Sequence, residues 1–215
     1  MSMITQAFRY AYEPFVFGKA RDKDNKETYA RAMKFFIIFT LLAFLVVMGY
    51  MDVLRHIIGR DYWVGLEVVP IVMAGGIMTG VYFNLSFWYK LIDKTIWGAY
   101  FSGIGCAVII GINVIFVPQY GYIACAWAGF LGNATAMVLS YIVGQRKYPI
   151  DYPLKSIGVY VLIGGLFFAI ISYTNANLSV AAALGINTLV IILFIAHVLY
   201  HDFPLQQLRK RFGKK

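Results

Sequence analysis

Residues 121–143 read GYIACAWAGFLGNATAMVLSYIV, a stretch without a charged side chain. It is long enough to cross the hydrocarbon core of a bilayer as a helix, which takes about 20 residues. Small residues recur at every fourth position and therefore share one helix face: Ala124, Ala128, Gly132, Ala136, Ser140 and Gly144. Helices in lipid gain little from hydrophobic association, so a face of small residues indicates close packing against another helix.

Five other apolar runs approach or reach the same length. They cover Phe35–Met51, Tyr62–Phe83, Ile96–Val117, Ser156–Tyr173 and Leu178–Tyr200. The sequence therefore predicts an all-α polytopic bundle of six transmembrane helices. The third run carries Gly103, Ala107 and Gly111 on one face, so we expect it to pack against residues 121–143. The short connection Pro118–Gly121 would join these two helices as an antiparallel hairpin.

The basic residues are unequally divided among the connections between these runs. Of the 19 Lys and Arg residues, 17 fall on one side of the predicted membrane, and only Arg55 and Arg60 fall on the other. Excess Lys and Arg marks the cytoplasmic side, so we expect both termini inside the cell. This segregation explains the net charge of +9 better than nucleic-acid binding does, and it favours contacts with anionic membrane lipids. A composition of 60% hydrophobic and 13% charged residues argues against an ordinary soluble protein.

The second span differs from the others in its helix-breaking residues. Pro70 removes a backbone donor in the outer half, and Gly75, Gly76 and Gly80 follow, so we predict a hinge. Broken helices near the membrane centre often mark transport pathways, although proline kinks also occur in helices without that role. Glu67, just before the proline, has two interpretations: it takes part in ion coupling, or its side chain reaches back to the outer interface.

The sequence contains no recognisable catalytic constellation. His56, His197 and His201 are scattered near the membrane edges, without a partner at metal-ligand or triad spacing. Cys106 and Cys125 lie within predicted spans, where they are expected to behave as small apolar side chains. We therefore expect neither an enzyme nor a bound metal or cofactor.

Ionisable residues near the inner membrane edge are better candidates for a binding site. Arg9 and Glu13 are four apart, so they share a helix face and can pair. Pro14 disfavours continuation of that helix, so the pair is expected at a helix end. It suits a gate or an anion contact, or else an interfacial salt bridge that only orients the segment. Lys90 and Lys94 could meet a phosphate, or serve only to keep their loop inside the cell.

Four segments together resemble a known family of membrane transporters. They are AFRYAYEPFVF (Ala7–Phe17), VVPIV (Val68–Val72), NLSFWYKLIDKT (Asn84–Thr95) and the stretch from VPQYGYIACAWAGF to GQRKYPI (Val117–Ile150). The chain resembles the polysaccharide-biosynthesis, or oligosaccharide flippase, branch of the multidrug and oligosaccharidyl-lipid exporter superfamily. That resemblance implies translocation of an undecaprenyl-pyrophosphate-linked oligosaccharide across the bacterial inner membrane, as a repeat of O-antigen, capsule or exopolysaccharide. The implied mechanism is alternating access between two lobes of a MATE-like fold.

The resemblance also implies how the chain is organised. The six spans would correspond to the ninth to fourteenth helices of a fourteen-helix transporter, and Ser2–Phe15 to the inner end of the eighth. The expected parts are a partial helix with a cytoplasmic loop, a four-helix core of the C-terminal lobe, two additional helices and a basic tail. They cover residues 1–34, 35–143, 144–200 and 201–215. The first lobe would come from the same gene or from a partner chain.

By the same resemblance, Arg9 would be the cation that faces the substrate and Glu13 its switching partner. Lys90 and Lys94 would be secondary phosphate contacts near the cytoplasmic entrance. Two alternatives stay open. One is a cation-coupled multidrug exporter, which needs carboxylates in its central cavity, where Glu67 is the candidate. The other is a non-transporting scaffold that binds polysaccharide assembly enzymes.

Overall fold

A computed structural model of the chain describes residues 1–18 and 25–202, and within these residues every regular element is a helix. The nine α-helices are α1 (Ser2–Gly18), α2 (Asn25–Gly49), α3 (Met51–Leu54), α4 (Val69–Leu85), α5 (Phe87–Leu91), α6 (Ile96–Tyr120), α7 (Tyr122–Lys147), α8 (Leu154–Asn177) and α9 (Val180–Asp202). A 3-10 helix at Arg60–Val68 precedes α4. Six segments are long and apolar enough to cross a membrane: Asn25–Gly49, Arg60–Leu91, Ile96–Tyr120, Tyr122–Lys147, Leu154–Asn177 and Val180–Asp202.

These segments correspond to the six predicted apolar runs, so the prediction of an all-α protein with six candidate membrane spans is confirmed. The predicted basic tail, residues 201–215, lies outside the described residues except for its first two positions. The predicted division of the chain into four parts stays a prediction. By its internal contacts the chain forms two compact units: a first unit of Met1–Thr40 and Asp61–Leu154, and a second unit of Leu41–Arg60 and Lys155–Lys215.

The second membrane span is a composite of helical segments. The 3-10 helix ends at Val68, and Pro70 then lies in the first turn of α4. A proline there costs no hydrogen bond, because the first backbone N–H groups of a helix have no intrahelical acceptor. Pro70 thus lies within the second span without its N–H group, as expected, but in the first turn of α4, where that donor would have no α-helical acceptor.

The glycines of the second span lie within continuous α4. They allow close contacts: a Cβ on Gly75 would lie 3.3 Å from the Phe130 Cα atom of α7, and a Cβ on Gly80 would overlap the Phe36 ring of α2. The hinge predicted at Pro70, Gly75, Gly76 and Gly80 stays a prediction.

The small residues of α7 form its buried face, as the sequence predicted. All six of the residues spaced by four are buried: Ala124, Ala128, Gly132, Ala136, Ser140 and Gly144. The α6 helix crosses this face almost backbone to backbone, since a Cβ on Gly105 would lie 2.9 Å from the Gly132 carbonyl oxygen. The predicted packing of α6 on α7 is confirmed. The predicted α6 face is wrong, because Gly103 and Ala107 are exposed and Gly105 makes the contact.

The turn between α6 and α7 is shorter than Pro118–Gly121. The α6 helix continues through Pro118 to Tyr120, and Gly121 alone reverses the chain with φ +57°. Positive φ is a conformation that glycine adopts without steric cost. The two longest packed helices of the first unit are thus joined by one residue.

An amide cluster lies at the C-terminal end of α2 in the second unit; we define it as Thr174, Asn175 and Asn187. Asn187 is fully buried, and its Nδ2 donates to the Gly49 carbonyl at 3.0 Å and to Asn175 Oδ1 at 2.7 Å. Thr174 Oγ1 donates to Asn187 Oδ1 at 2.7 Å, and Asn175 Nδ2 donates to the Met48 carbonyl at 3.2 Å. The cluster therefore caps carbonyl groups at a helix end that have no intrahelical donor.

Candidate functional site: a basic cluster on α1 and α5

Two cations and one carboxylate converge where α1 meets α5; we call Arg9, Glu13 and Lys90 the basic cluster. Lys90 Nζ donates to Glu13 Oε1 at 2.6 Å. Arg9 Nε lies 3.6 Å from Glu13 Oε2, too far for a hydrogen bond. Glu13 therefore has Lys90 as its principal partner and Arg9 as a weaker one, although the sequence spacing predicted only the pair with Arg9.

The α1 helix extends past the proline that was expected to end it. It continues from Ser2 to Gly18 with Pro14 inside, so the expectation of a helix end at Glu13 is wrong. Packing explains the continuation: Tyr12 and Val16 are buried in a cluster that includes Tyr29. The Tyr29 hydroxyl donates to the Val16 carbonyl at 3.0 Å and so caps a backbone group near the end of α1.

Two phenylalanines four residues apart position the two cations. The Arg9 guanidinium lies 5.3 Å from the centre of the Phe83 ring, at the end of α4. Lys90 Nζ lies 5.3 Å from the centre of the Phe87 ring, at the start of α5. Both distances fall within the range in which an aromatic face attracts a cation. The rings thus hold one cation on each side of the Glu13 carboxylate.

The basic cluster has one net positive charge and is open to solvent. The side chains of Arg9, Glu13 and Lys90 are 36%, 28% and 27% exposed. The hydrogen bond from Lys90 lowers the pKa of the Glu13 carboxyl below its ordinary value, and the charges of Lys90 and Arg9 lower it further. Glu13 is therefore a carboxylate at neutral pH. One negative charge between two positive charges leaves the site able to accept an additional anion.

A small open cavity adjoins the basic cluster between α1 and α4. The space that it shares with open solvent is about 200 Å³, and Thr5, Arg9 and Asn84 are among the residues that line it. Arg9 Nε and Asn84 Oδ1 have no hydrogen-bond partner in the part of the chain that the structure describes. Asn84 is 8% exposed. The apolar pattern did not single out Asn84, although this amide directly follows the run Tyr62–Phe83 and lies within α4.

The structure does not bring the other two candidate residues into this cluster. Lys94 is exposed in the turn between α5 and α6, where its backbone N–H donates to the Tyr89 carbonyl at 2.8 Å. Glu67 lies in the 3-10 helix and accepts a hydrogen bond from the Tyr122 hydroxyl at the start of α7. Glu67 is thus tied to a neutral partner, and both of its interpretations stay open.

The six long apolar helices define the chain as a multi-pass α-helical membrane protein. Within residues 1–18 and 25–202, no three His, Cys, Asp or Glu side chains group as metal ligands would. The chain matches no family model, and neither a curated protein nor a solved structure shows significant similarity to it. The basic cluster and the sequence patterns are therefore the features of the chain that bear on its function.

Proposed function

We propose that the chain is the C-terminal part of a flippase that translocates an undecaprenyl-pyrophosphate-linked oligosaccharide across the bacterial inner membrane by alternating access. The observation that carries this proposal is the charge imbalance of the basic cluster. Lys90 Nζ lies 2.6 Å from Glu13 Oε1, whereas Arg9 Nε lies 3.6 Å from Glu13 Oε2. The guanidinium of Arg9 thus remains available to an anionic ligand.

The chemistry of Arg9 suits the phosphate end of such a substrate. A guanidinium presents planar, paired N–H donors that match phosphate oxygens and stays charged at any physiological pH. Binding of a neutral sugar would not require two cations, and a purely structural salt bridge to Glu13 would require only one. In this proposal Arg9 makes the first contact with the pyrophosphate, and Lys90 and Lys94 contact it second. The protein moves its substrate without chemical change and is not an enzyme.

The distribution of basic residues supports loading from the cytoplasm. The segments that carry 17 of the 19 Lys and Arg residues include residues 1–34 and 87–95, to which Arg9, Glu13 and Lys90 belong. Both termini then lie in the cytoplasm, and the cluster lies near the cytoplasmic membrane surface. The fold would be the C-terminal lobe of a MATE-like transporter, completed by a first lobe of the same gene product or of a partner chain.

The proposal is tested by changing Arg9 in the complete transporter and measuring surface polysaccharide. Arg9→Ala and Arg9→Glu should both abolish the polysaccharide while the amount of protein in the membrane stays normal. Arg31→Ala is the matched control, because Arg31 also pairs with a glutamate four positions away, at 2.6 Å, but its side chain is 67% exposed. Wild-type polysaccharide in both Arg9 variants would contradict the proposal.

A further inference from the structure

The Glu13 carboxylate lies between the two cations that are proposed to bind phosphate. Each of its oxygens faces a different cation: Oε1 accepts a hydrogen bond from Lys90 Nζ at 2.6 Å, and Oε2 lies 3.6 Å from Arg9 Nε. A phosphate group also carries negatively charged oxygens, which can accept hydrogen bonds from Arg9 and Lys90 as a carboxylate does. We infer that Glu13 is an internal competitor that occupies the oxyanion site of Arg9 and Lys90 until an anionic ligand displaces it. This inference rests on the proposed function and adds the regulation of the same site.

Glu13 contacts Lys90 more closely than Arg9, so we expect a ligand to displace it from the two cations in a fixed order. The Arg9 side chain is 36% exposed and its Nε lies 3.6 Å from Glu13 Oε2, so a ligand can contact the exposed part of the guanidinium before any hydrogen bond breaks. Lys90 becomes available only when its hydrogen bond to Glu13 opens. We therefore expect a ligand to reach Arg9 first and to take Lys90 from Glu13 second.

Displacement is feasible because all three side chains are between one quarter and two fifths exposed. Ion pairs that water can reach contribute little to stability, so their opening costs little. A pyrophosphate bears more negative charge than one carboxylate and has more acceptor oxygens for the two cations. Pyrophosphate should therefore displace Glu13 from the two cations, although part of its binding free energy is used to release Glu13.

Glu13 also has a stabilising role in the protein when no ligand is bound. Without Glu13, two cations would lie close together near apolar surface, where screening by water is reduced. The ion pair neutralises one of them and ties α1 to α5. Ligand binding would break that ionic tie and leave the apolar contact between Tyr12 of α1 and Phe87 of α5.

The experiment measures binding of inorganic pyrophosphate to the purified chain in detergent by isothermal titration calorimetry. Glu13→Gln removes the competing charge and should tighten binding by about 10-fold, within the usual range of coupling between sites. Glu13→Asp keeps the charge on a shorter side chain and should fall between Glu13→Gln and the wild type. Glu27→Gln is the control, because it breaks the exposed Glu27–Arg31 pair at 2.6 Å and should leave the affinity unchanged.

The outcomes separate this inference from the proposed function. Equal or weaker pyrophosphate binding by a folded Glu13→Gln variant would overturn the competition, while loss of binding in Arg9→Ala would still support the oxyanion site. Pyrophosphate binding that does not depend on Arg9 would overturn the inference and remove the support for the proposed function as well. A thermal unfolding curve for each variant shows whether it has folded.

Discussion

The amide cluster and the basic cluster are both polar groups among apolar helices, but only one of them is satisfied. In the amide cluster the donors and acceptors of Asn187 all have partners within 3.0 Å, and the residue is fully buried. In the basic cluster two cations share one carboxylate, and Arg9 Nε lacks a partner in the described part of the chain. The adjoining Asn84 Oδ1 lacks one too.

Hydrogen-bond satisfaction distinguishes structural polar groups from functional ones in a membrane protein. A buried polar group that is fully hydrogen-bonded holds helices together, and removing it leaves its partners unsatisfied. A charged group with unused donors adds little to stability, yet its unused donors remain available to a ligand. By this criterion the amide cluster stabilises the second unit, and the basic cluster of the first unit is the candidate binding site.

The largest expected effect on stability is that of Asn187→Leu. The substitution keeps the approximate volume but leaves the Gly49 carbonyl, Asn175 and Thr174 without their shared partner. We expect a loss of about 2–3 kcal/mol in the free energy of unfolding. Chemical denaturation in detergent measures it, and Asn177→Leu on the exposed end of α8 is the control, with little expected change. Equal stability of the two variants would contradict the structural role of the amide cluster.

Thr174→Val should have a smaller effect on the same cluster. The two side chains have nearly the same shape, but valine cannot donate to Asn187 Oδ1, which accepts at 2.7 Å in the native protein. We expect a loss of about 1 kcal/mol, the usual net value of one hydrogen bond. Chemical denaturation in detergent measures this loss. If the losses of Thr174→Val and Asn187→Leu add in the double variant, the two residues do not act together.

The substitution Asn84→Leu tests a buried asparagine beside the basic cluster. It is the same replacement as Asn187→Leu in the amide cluster. Asn84 Nδ2 donates to the Gly80 carbonyl of its own helix at 3.1 Å, while Oδ1 has no partner in residues 1–18 and 25–202. Leucine removes an unsatisfied polar atom, so the free energy of unfolding should stay within about 1 kcal/mol of the wild type. A loss as large as that of Asn187→Leu would show that Asn84 is also a structural residue.

The smallest expected effect is the pH dependence of stability that Glu13 contributes. Its pKa is lowered in the folded state, mainly by the hydrogen bond from Lys90. The stabilisation is therefore fully present above the unfolded pKa of about 4.3 and is lost as the pH falls through the folded value. The melting-temperature difference between the wild type and Glu13→Gln should be constant from about pH 6 to 8 and disappear in acid. A difference that grows in acid would contradict this sign.

The apolar runs were enough to predict the helical membrane spans of this protein. In a bilayer, six apolar stretches of this length must satisfy their backbone polar groups internally, and a helix does so within a single segment. The period of four among the small residues of α7 likewise predicted its buried face, since close backbone approach requires small side chains wherever it occurs.

Only the tertiary structure decided which residues meet across helices. Glu13 is paired with Lys90, 77 positions along the chain, and no local spacing could favour it over Arg9 four positions away. Gly105 rather than Gly103 faces α7. Sequence periodicity describes one helix at a time, whereas these contacts depend on the rotation and crossing of two helices, which packing alone fixes.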